Sequence, residues 1–260
     1  MSKQVTCIEK RGTLGGTCLN VGCIPSKSLL NNSHLYHQIL HDSKHRGIEV
    51  GDVRLNLEQF MKAKDASVTG LTKGVEFLLK KNGVEYLKGT GSFQDEHTVK
   101  VELNDGGETS VVGKNILIAT GSEVTPFPGL TIDETTVISS TGAIALQKVP
   151  EKMVVIGGGI IGLEMASVWS RLGAEVTVVE YLDQIGGPGM DLEVAKTIQK
   201  LLKKQGINFK TGTKVVSGEK ISSDEVKVQI DSAKGGKPET VCHFTIPAEF
   251  FFGLTLTPRV

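Results

Sequence analysis

The sequence predicts an α/β fold made of two related strand–turn–helix units. Apolar strands, glycine turns and amphipathic helices alternate along the chain, which is typical of parallel sheets covered by helices. One strand-and-glycine pattern occurs twice, once in each half of the chain. Glycine contributes 31 of the 260 residues, about 12% against a usual ~7%, which fits a fold with many tight turns.

Length and charge restrict the function classes. A chain of 260 residues with zero formal net charge is expected to bury a sizeable core and to form two domains. The balanced charge argues against binding to nucleic acid or to an anionic membrane, and the longest apolar runs are too short to span a bilayer. No signal peptide is expected, since Met1–Gln4 runs directly into a strand.

The elements of the first domain, residues 1–122, follow from apolar periodicity and from turn residues. Helices are predicted at Lys27–Leu40 and Asn56–Lys81. Strands are predicted at Val5–Glu9 and Val84–Leu87, as an antiparallel pair at His97–Leu103 and Thr109–Val112, and as a buried strand at Asn115–Ser122. Gly89–Gly91 is predicted to form a turn.

Residues 123–150 are predicted to cross to a second domain at 151–242, with Pro126 and Pro128 marking the crossover. Its predicted elements are strands at Met153–Ile156, Val176–Glu180 and Ile207–Phe209, helices at Leu163–Leu172 and Asp191–Gln205, and a meander at Lys214–Val216 and Val226–Ile230. Leu192 and Leu201 are among the residues expected on the inner face of the second helix. Residues 243–260 form a tail that matches no expected element.

The repeated pattern indicates two copies of one nucleotide-binding unit. Val5–Glu9 is followed by Leu14-Gly15-Gly16, and Val176–Glu180 is followed by Ile185-Gly186-Gly187, with the same spacing from acid to glycine. In the second copy the first turn glycine, Gly157, lies 19 residues before Val176. The same distance before Val5 falls ahead of Met1. The chain is therefore expected to begin at the second strand of its first unit, without the glycine turn that would hold a pyrophosphate.

The second copy carries a dinucleotide fingerprint in its expected context. Gly157, Gly159 and Gly162 follow an apolar strand and open a helix, and Glu180 ends the next strand. Such glycines allow close approach of the backbone to a pyrophosphate, and the acid suits ribose hydroxyls. The alternative is that these glycines merely serve turns. Because Glu180 would repel a 2′-phosphate, NAD is expected rather than NADP.

Cys18 and Cys23 lie five positions apart between glycines, a pattern that suits a redox-active disulfide. Gly15, Gly16 and Gly22 let the backbone pass close to a flat ligand. A helix start at Pro25 puts Cys23 near the positive end of a helix dipole, which favours a thiolate. Two alternatives remain open, which are inert cysteines and half of a zinc site, although no second ligand pair is present and no metal is expected.

The segment from Gly15 to Lys27 resembles the active-site signature of the pyridine nucleotide–disulfide oxidoreductases, in the version of dihydrolipoamide dehydrogenases. The resemblance implies FAD and NAD as cofactors, with Cys18 as the interchange cysteine and Cys23 against the flavin. It also implies that Lys27 pairs with the flavin edge and that Glu9 binds the FAD ribose. The further residues implied in cofactor binding are Gly15, Gly16, Thr17, Gly91, Thr120, Gly121, Ser122, Glu164 and Val215, the last near the adenine of NAD.

The resemblance covers about residues 4–242 and implies a partial FAD-binding Rossmann-like domain followed by an NAD-binding Rossmann-like domain with an antiparallel meander. The C-terminal dimerisation domain of the family, with its catalytic His-Glu pair, is expected to be absent. The chain is accordingly identified as similar to a member of this family truncated at both ends.

The function implied by the resemblance is electron transfer from dihydrolipoamide, through a cysteine disulfide and FAD, to NAD. Its implied partners are the lipoyl domains of 2-oxoacid dehydrogenase complexes and, in the family, a second subunit of a homodimer. The implied location is the mitochondrial matrix for a eukaryotic source, and otherwise the cytoplasm. The alternatives are a catalytically inactive NAD-binding module and a relative of glutathione or mercuric reductase.

Overall fold

A computed structural model describes residues 4–125, 127, 129–221, 226–235, 239–243, 249–252 and 256–258. Its helices are α1 Gly16–Val21, α2 Cys23–His41, α3 Leu57–Lys81, α4 Ser140–Ala143, α5 Ile160–Leu172 and α6 Leu192–Lys204, with a 3₁₀ turn at Lys44–Arg46. Its first strands are β1 Val5–Glu9, β2 Val84–Phe93, β3 Thr98–Leu103, β4 Glu108–Val112, β5 Ser122–Val124, β6 Val137–Ile138 and β7 Lys152–Ile156. The later strands are β8 Glu175–Val179, β9 Asn208–Lys210, β10 Thr213–Lys220, β11 Val226–Ser232, β12 Glu239–His243, β13 Glu249–Phe252 and β14 Leu256–Pro258. None of the helices in these ranges combines the length and the apolar character that crossing a membrane requires.

The chain divides into two compact units that do not follow its order. Unit 1 comprises Met1–Pro25, Asp65–Ser122 and Pro258–Val260, and unit 2 comprises Ser26–Lys64 and Glu123–Thr257. Residues 26–64, which the sequence analysis assigned to the first domain, therefore cluster with the second unit. The predicted crossover prolines, Pro126 and Pro128, lie outside the described residues.

Unit 1 contains a four-stranded sheet in the order β1-β2-β3-β4. Strands β1 and β2 are parallel, with Val5 opposite Val84 and Glu9 opposite Lys88, and the remaining pairs are antiparallel. The hairpin predicted between β3 and β4 is confirmed. Among the described residues of this unit, the buried hydrophobic side chains are Leu14, at 6% exposure, and Val101, at 0%, so its core is small.

One turn prediction and one strand prediction in unit 1 are wrong. Residues 89–91 are not a turn, because β2 continues through them to Phe93. A Cβ on Gly89 would lie 2.4 Å from the carbonyl oxygen of Glu102, so glycine allows close approach of β3 rather than reversal of the chain. Residues 115–121 are not a strand, since no described strand lies beside them to complete a hydrogen-bond ladder, and Leu117 is 90% exposed.

Unit 2 contains a five-stranded parallel sheet in the order β6-β13-β7-β8-β9 and an antiparallel meander in the order β10-β11-β12. Most of the elements predicted for this unit are confirmed, with shifts of a few residues at their ends. They are the strands at 153–156 and 176–180, the helices at 163–172 and 191–205, and the meander. The sheet and the meander share one apolar core, which includes Val154, Val179, Val226, Val228 and Ile230.

Part of the segment 243–260, which the sequence left unassigned, forms a strand of unit 2. Strand β13, at Glu249–Phe252, pairs in parallel with both β6 and β7 and so lies inside the main sheet of unit 2. Apolar residues at the core of a parallel sheet form continuous runs rather than an alternating pattern, so period analysis did not identify this short strand.

The inner face of α6 is narrower than its sequence predicts. Asp191 caps the helix by accepting hydrogen bonds from the N–H groups of Glu193 and Val194. Ala195 is buried and Ile198 packs against the same cluster, but Leu192 and Leu201 are half exposed. Leu192 and Leu201 lie at opposite edges of the apolar stripe, where the curvature of the helix turns them away from the sheet.

Asp133 is expected to make the stability of unit 2 sensitive to acid. Its carboxylate accepts hydrogen bonds from the backbone N–H groups of residues 135–137 and pairs with Lys220 Nζ at 2.5 Å. Partial burial alone would raise the pKa of Asp133, but the Lys220 ammonium and the three N–H groups together hold it well below its ordinary value. A lowered pKa in the folded state stabilises the protein above the unfolded pKa of about 4, and this stabilisation is lost as the pH falls below that value.

The Asp133→Asn variant should therefore be less stable than the wild-type protein at neutral pH, and its stability should depend less on pH between about 5 and 2. Urea unfolding at several pH values measures both effects. Asp52→Asn is the control, because the Asp52–Arg54 pair is 85% exposed on both side chains and should contribute little. Parallel pH profiles for the wild type and Asp133→Asn would contradict this account.

Candidate functional site

The segment that carries the cysteine pair folds into two successive helices separated by one glycine. Gly15 and Gly16, both with positive φ, start α1, and Gly22 separates it from α2. A Cβ on Gly15 would lie 2.6 Å from Leu19 Cδ2, and one on Gly22 would lie 2.9 Å from the carbonyl oxygen of Thr17. The tight connection therefore requires glycine at both positions.

Cys23 is the first residue of α2, two residues earlier than the helix start predicted at Pro25. Pro25 fits the first turn, where its missing N–H breaks no intrahelical bond. Cys18 lies within α1, and both sulfurs are on exposed residues with no disulfide between them. Two exposed cysteines at a helix start are accessible to a thiol or disulfide reagent.

Cys7, in β1, is in a different environment from this pair. It is only partly exposed, and burial together with the neighbouring carboxylate of Glu9 raises the pKa of its thiol. A raised pKa reduces the fraction of thiolate, which is the nucleophilic form. Cys7 is therefore poorly suited to thiol–disulfide exchange.

Lys27 and Glu164 form an ion pair within unit 2. The Nζ atom of Lys27, on α2, lies 2.6 Å from Oε1 of Glu164, on α5. The Lys27 side chain is mostly exposed, whereas the Glu164 side chain is mostly buried. Both residues are predicted from the sequence to bind a cofactor, but their pairing is not, because nothing in their spacing places α2 beside α5.

The predicted dinucleotide turn joins β7 to α5 in the expected geometry. Gly157 has a φ of 102°, and its N–H donates to the carbonyl oxygen of Val179. A Cβ on Gly162 would lie 2.3 Å from the carbonyl oxygen of Gly157, so only glycine allows the helix to start so close to the turn. A Cβ on Gly159, at the N-terminus of α5, would meet nothing within 4 Å. The turn thus leaves open space at the positive end of a 13-residue helix, as anion binding requires.

Glu180 is a buried carboxylate that holds this turn in place. It is 8% exposed, and its Oε2 accepts a hydrogen bond of 2.6 Å from the N–H of Gly158 while Oε1 accepts one of 2.7 Å from Leu182. Since a carboxylate offers about four acceptor positions, two remain for ribose hydroxyls. The arrangement therefore fits the predicted nucleotide and leaves no place for a further negative charge.

Two residues of this arrangement, Gly158 and Gly186, are not among the site residues predicted from the sequence. The N–H of Gly186 donates to the carbonyl oxygen of Gly158 at 2.7 Å, so the second glycine of the turn is hydrogen-bonded through both its N–H and its carbonyl group. The repeat had already marked Gly186 and Gly187 as a recurring pair, and both have positive φ, as Gly15 and Gly16 do. That recurrence was the available signal for this contact.

The remaining predicted cofactor residues lie at scattered positions. Glu9 is half-buried at the end of β1 and accepts a hydrogen bond from the N–H of Arg11. Gly91 lies within β2, where a Cβ would be 3.2 Å from Val99 Cγ1. Val215 packs against the core of unit 2. The other four are Thr17 in α1, the exposed Thr120 and Gly121, and Ser122 at the start of β5.

No group of three or more metal-ligating side chains comes together within the described ranges of the chain. His34, His37 and His41 share one helix, and the rings of His37 and His41 lie 4.4 Å apart. Burial, and then the charge of His41, lowers the pKa of His37. His34 and His41 are exposed, whereas His37 is half-buried.

Comparison with known proteins identifies relatives over most of the chain. Residues 1–246 match the family described as pyridine nucleotide-disulphide oxidoreductase. A dihydrolipoamide dehydrogenase of Chaetomium thermophilum is 82% identical over 238 residues, which are 92% of this chain and 47% of that protein. The mitochondrial dihydrolipoyl dehydrogenase of Homo sapiens is 55% identical over 240 residues, again 92% of this chain and 47% of the relative. The chain thus spans about half the length of the curated relatives it matches.

A solved structure gives an independent comparison of the fold. A flavoprotein disulfide reductase from Escherichia coli, in complex with Cu(II), superposes with a TM-score of 0.76. The match covers 99% of this chain and 52% of that structure, at 23% sequence identity. At 23% identity, this similarity concerns the fold alone.

Proposed function

This chain belongs to the pyridine nucleotide-disulphide oxidoreductase family, and from that premise we propose that it supplies the disulfide and NAD-binding parts of a dihydrolipoamide dehydrogenase. The observation that carries the proposal is the pair of exposed cysteines, Cys18 and Cys23, on two successive helices that glycines hold close together. The identity of 82% to a dihydrolipoamide dehydrogenase supports the choice of substrate class.

The proposed reaction at the cysteines is thiol–disulfide exchange. With Cys18 and Cys23 joined as a disulfide, one thiolate of the dithiol substrate attacks Sγ of Cys18, the bond between the two cysteines breaks, and Cys23 leaves as a thiolate. The second substrate thiol, after losing its proton, then attacks the substrate's own sulfur in the mixed disulfide. Cys18 leaves as a thiolate and the substrate leaves as a cyclic disulfide. Two electrons have passed to the protein, and two protons have passed from the substrate thiols to solvent or to the cysteine thiolates.

The proposed NAD site is the turn between β7 and α5. The open space at Gly159 and the N-terminal N–H groups of α5 would receive the pyrophosphate, and Glu180 would accept ribose hydroxyls with its remaining acceptor positions. A 2′-phosphate in that position would face a buried carboxylate. The geometry therefore favours NAD over NADP.

FAD is the second proposed cofactor, and when bound it would accept two electrons from the cysteine pair and pass a hydride to NAD. Glu9 has a carboxylate oxygen available for a ribose hydroxyl, and Gly16 has open space around it. We assign Gly15, Thr17, Lys27 and Glu164 to the same cofactor. Gly91, Thr120, Gly121 and Ser122 complete the proposed FAD set, while Val215 is proposed for the adenine of NAD.

The proposed partners are lipoyl domains of 2-oxoacid dehydrogenase complexes, which present dihydrolipoamide, and a second subunit of a homodimer. The proposed location is the mitochondrial matrix if the source is eukaryotic, supported by the mitochondrial dihydrolipoyl dehydrogenases among the relatives, and otherwise the cytoplasm. Neither nucleic acid nor a membrane is a proposed partner.

A second candidate function is binding of NAD without flavin chemistry. The favouring observation is that the nucleotide turn of unit 2 is complete, with Gly158 hydrogen-bonded to both Glu180 and Gly186, whereas unit 1 has a small core. A relative of glutathione or mercuric reductase is less favoured, because Glu180 occupies the position that would face a 2′-phosphate.

One experiment separates these functions. The purified chain is incubated with FAD, freed of unbound flavin and then titrated with dihydrolipoamide while its visible spectrum is recorded. We expect retained flavin whose band gains a long-wavelength shoulder, followed by NADH formation once NAD is added, with NADPH formation from NADP at least about tenfold slower. A colourless chain that still binds NADH would favour the second candidate, and a preference for NADP would favour the reductase relatives.

A further inference from the structure

Two histidines lie one helical turn apart at the end of α2. His37 and His41 occupy positions i and i+4 of this 19-residue helix, and His41 is its last residue. Side chains at that spacing are neighbours on one face of a helix. Their ring centroids are 4.4 Å apart and the ring planes are tilted by 46°, so the two imidazoles are adjacent without being stacked in parallel.

The distance between the rings is close to the one that a shared metal ion requires. Imidazole nitrogens bind Zn²⁺ at about 2.0–2.1 Å, so two rings on adjacent corners of its coordination sphere have centroids roughly 4.5–5.2 Å apart. The observed 4.4 Å lies at the short end of that range. Since χ2 of histidine is a soft torsion, small rotations can turn one nitrogen of each ring toward a common point.

Both rings are accessible to an ion. His41 is exposed and His37 is half-buried. In the part of the chain that the structure describes, neither ring takes part in a hydrogen bond or a salt bridge, so their nitrogens are not already engaged. Burial, and then the charge of His41, lowers the pKa of His37. This favours the neutral imidazole, which is the form that binds metals.

The charges around the pair act in both directions. Arg171, on α5, donates to the carbonyl oxygen of Leu30 on α2, and its charge and that of His34 oppose a further positive charge at His37. The carboxylate of Asp42 favours one. The negative end of the α2 dipole also favours a cation at the last turn of the helix. The surroundings therefore accommodate one divalent ion rather than several.

We propose that His37 and His41 form a binding site for one divalent ion of the late first-row transition metals that imidazole prefers, such as Zn²⁺ or Cu²⁺. Each histidine supplies one ring nitrogen. No third metal-ligating side chain joins them within the described ranges, so water occupies the remaining positions of the ion. The chelate links successive turns and so stabilises the end of α2. This inference concerns metal binding and does not depend on the proposed function.

Zinc alone is the probe, and the exposed thiols of Cys18 and Cys23 must first be blocked because thiolates also bind Zn²⁺. The full chain, made without a polyhistidine tag and treated with iodoacetamide, is titrated with zinc chloride in a calorimeter. We expect one equivalent to bind. His41→Ala, at an exposed position, should weaken binding by about tenfold or more, because one ligand cannot chelate. The matched control is His45→Ala, which removes another exposed histidine and should bind like the wild type.

A second measurement needs no substitution. The imidazole C–H resonances of His37 and His41 should shift together during the titration, while those of His45 should not. Affinity should also fall by about tenfold or more between about pH 7.5 and 5.5, because protons compete for the ring nitrogens. Four results would each overturn the proposal: no binding to the wild type, equal binding by His41→Ala, loss of binding in His45→Ala, or undiminished affinity at the lower pH.

Discussion

Serine in place of Cys18 or of Cys23 is expected to abolish oxidation of dihydrolipoamide by the flavin-loaded protein, with a fall of about 10³-fold or more. The reason is that exchange needs one sulfur to form the mixed disulfide and a second to leave, and a hydroxyl can do neither at neutral pH. Loss of either sulfur should have the same effect, because residues that act as a unit are not additive.

The cofactor-free chain gives a second measurement of the same pair. Thiol titration after mild oxidation should count two fewer thiols than the four cysteines of the reduced chain, and peptide mapping should show a bond between Cys18 and Cys23. Cys7→Ser is the matched control, since Cys7 is partly buried with a raised pKa and should be dispensable. A disulfide in the oxidised wild-type chain that involves Cys7 or Cys242 would show that Cys18 and Cys23 are not the preferred redox couple.

Alanine in place of Gly162 is expected to destabilise unit 2 and to abolish NAD binding together. The new Cβ would lie 2.3 Å from the backbone carbonyl oxygen of Gly157 and 3.1 Å from Val155 Cγ1, so the backbone of the turn must move. Overpacking of this kind costs roughly 3 kcal/mol, which corresponds to a fall in melting temperature of about 6–12 °C. Thermal unfolding followed by circular dichroism measures the first effect and NADH fluorescence the second.

Alanine in place of Gly159 is the matched comparison, because it separates the fold from the site. Gly159 has a φ of −69°, which alanine adopts readily, and its Cβ would enter open space. Stability should change by less than about 0.5 kcal/mol, while NAD affinity should fall by about tenfold or more, since the methyl group occupies the approach of the pyrophosphate. Equal NAD affinity in Gly159→Ala and the wild type would place the pyrophosphate elsewhere.

Local pattern predicted those elements whose residues carry strong periodic signals. The glycine turn between β7 and α5 and the end of α5 at Gly173, with its φ of 116°, were predictable because glycine has few other roles at such positions. The β3–β4 hairpin was predictable for the same reason, since residues 104–107 contain two glycines with positive φ. The failures, at residues 89–91 and 115–121, concern segments whose state depends on whether another strand lies beside them.

The sequence by itself determined the family, the cysteine pair and the dinucleotide fingerprint, because these depend on residue types at fixed spacing along one stretch of chain. The tertiary structure alone decided that Glu180 accepts a hydrogen bond from Gly158 and that Lys27 pairs with Glu164. It also decided that β13 lies within the main sheet of unit 2. Each of these contacts joins residues far apart in the chain, and no local propensity encodes which distant partners meet.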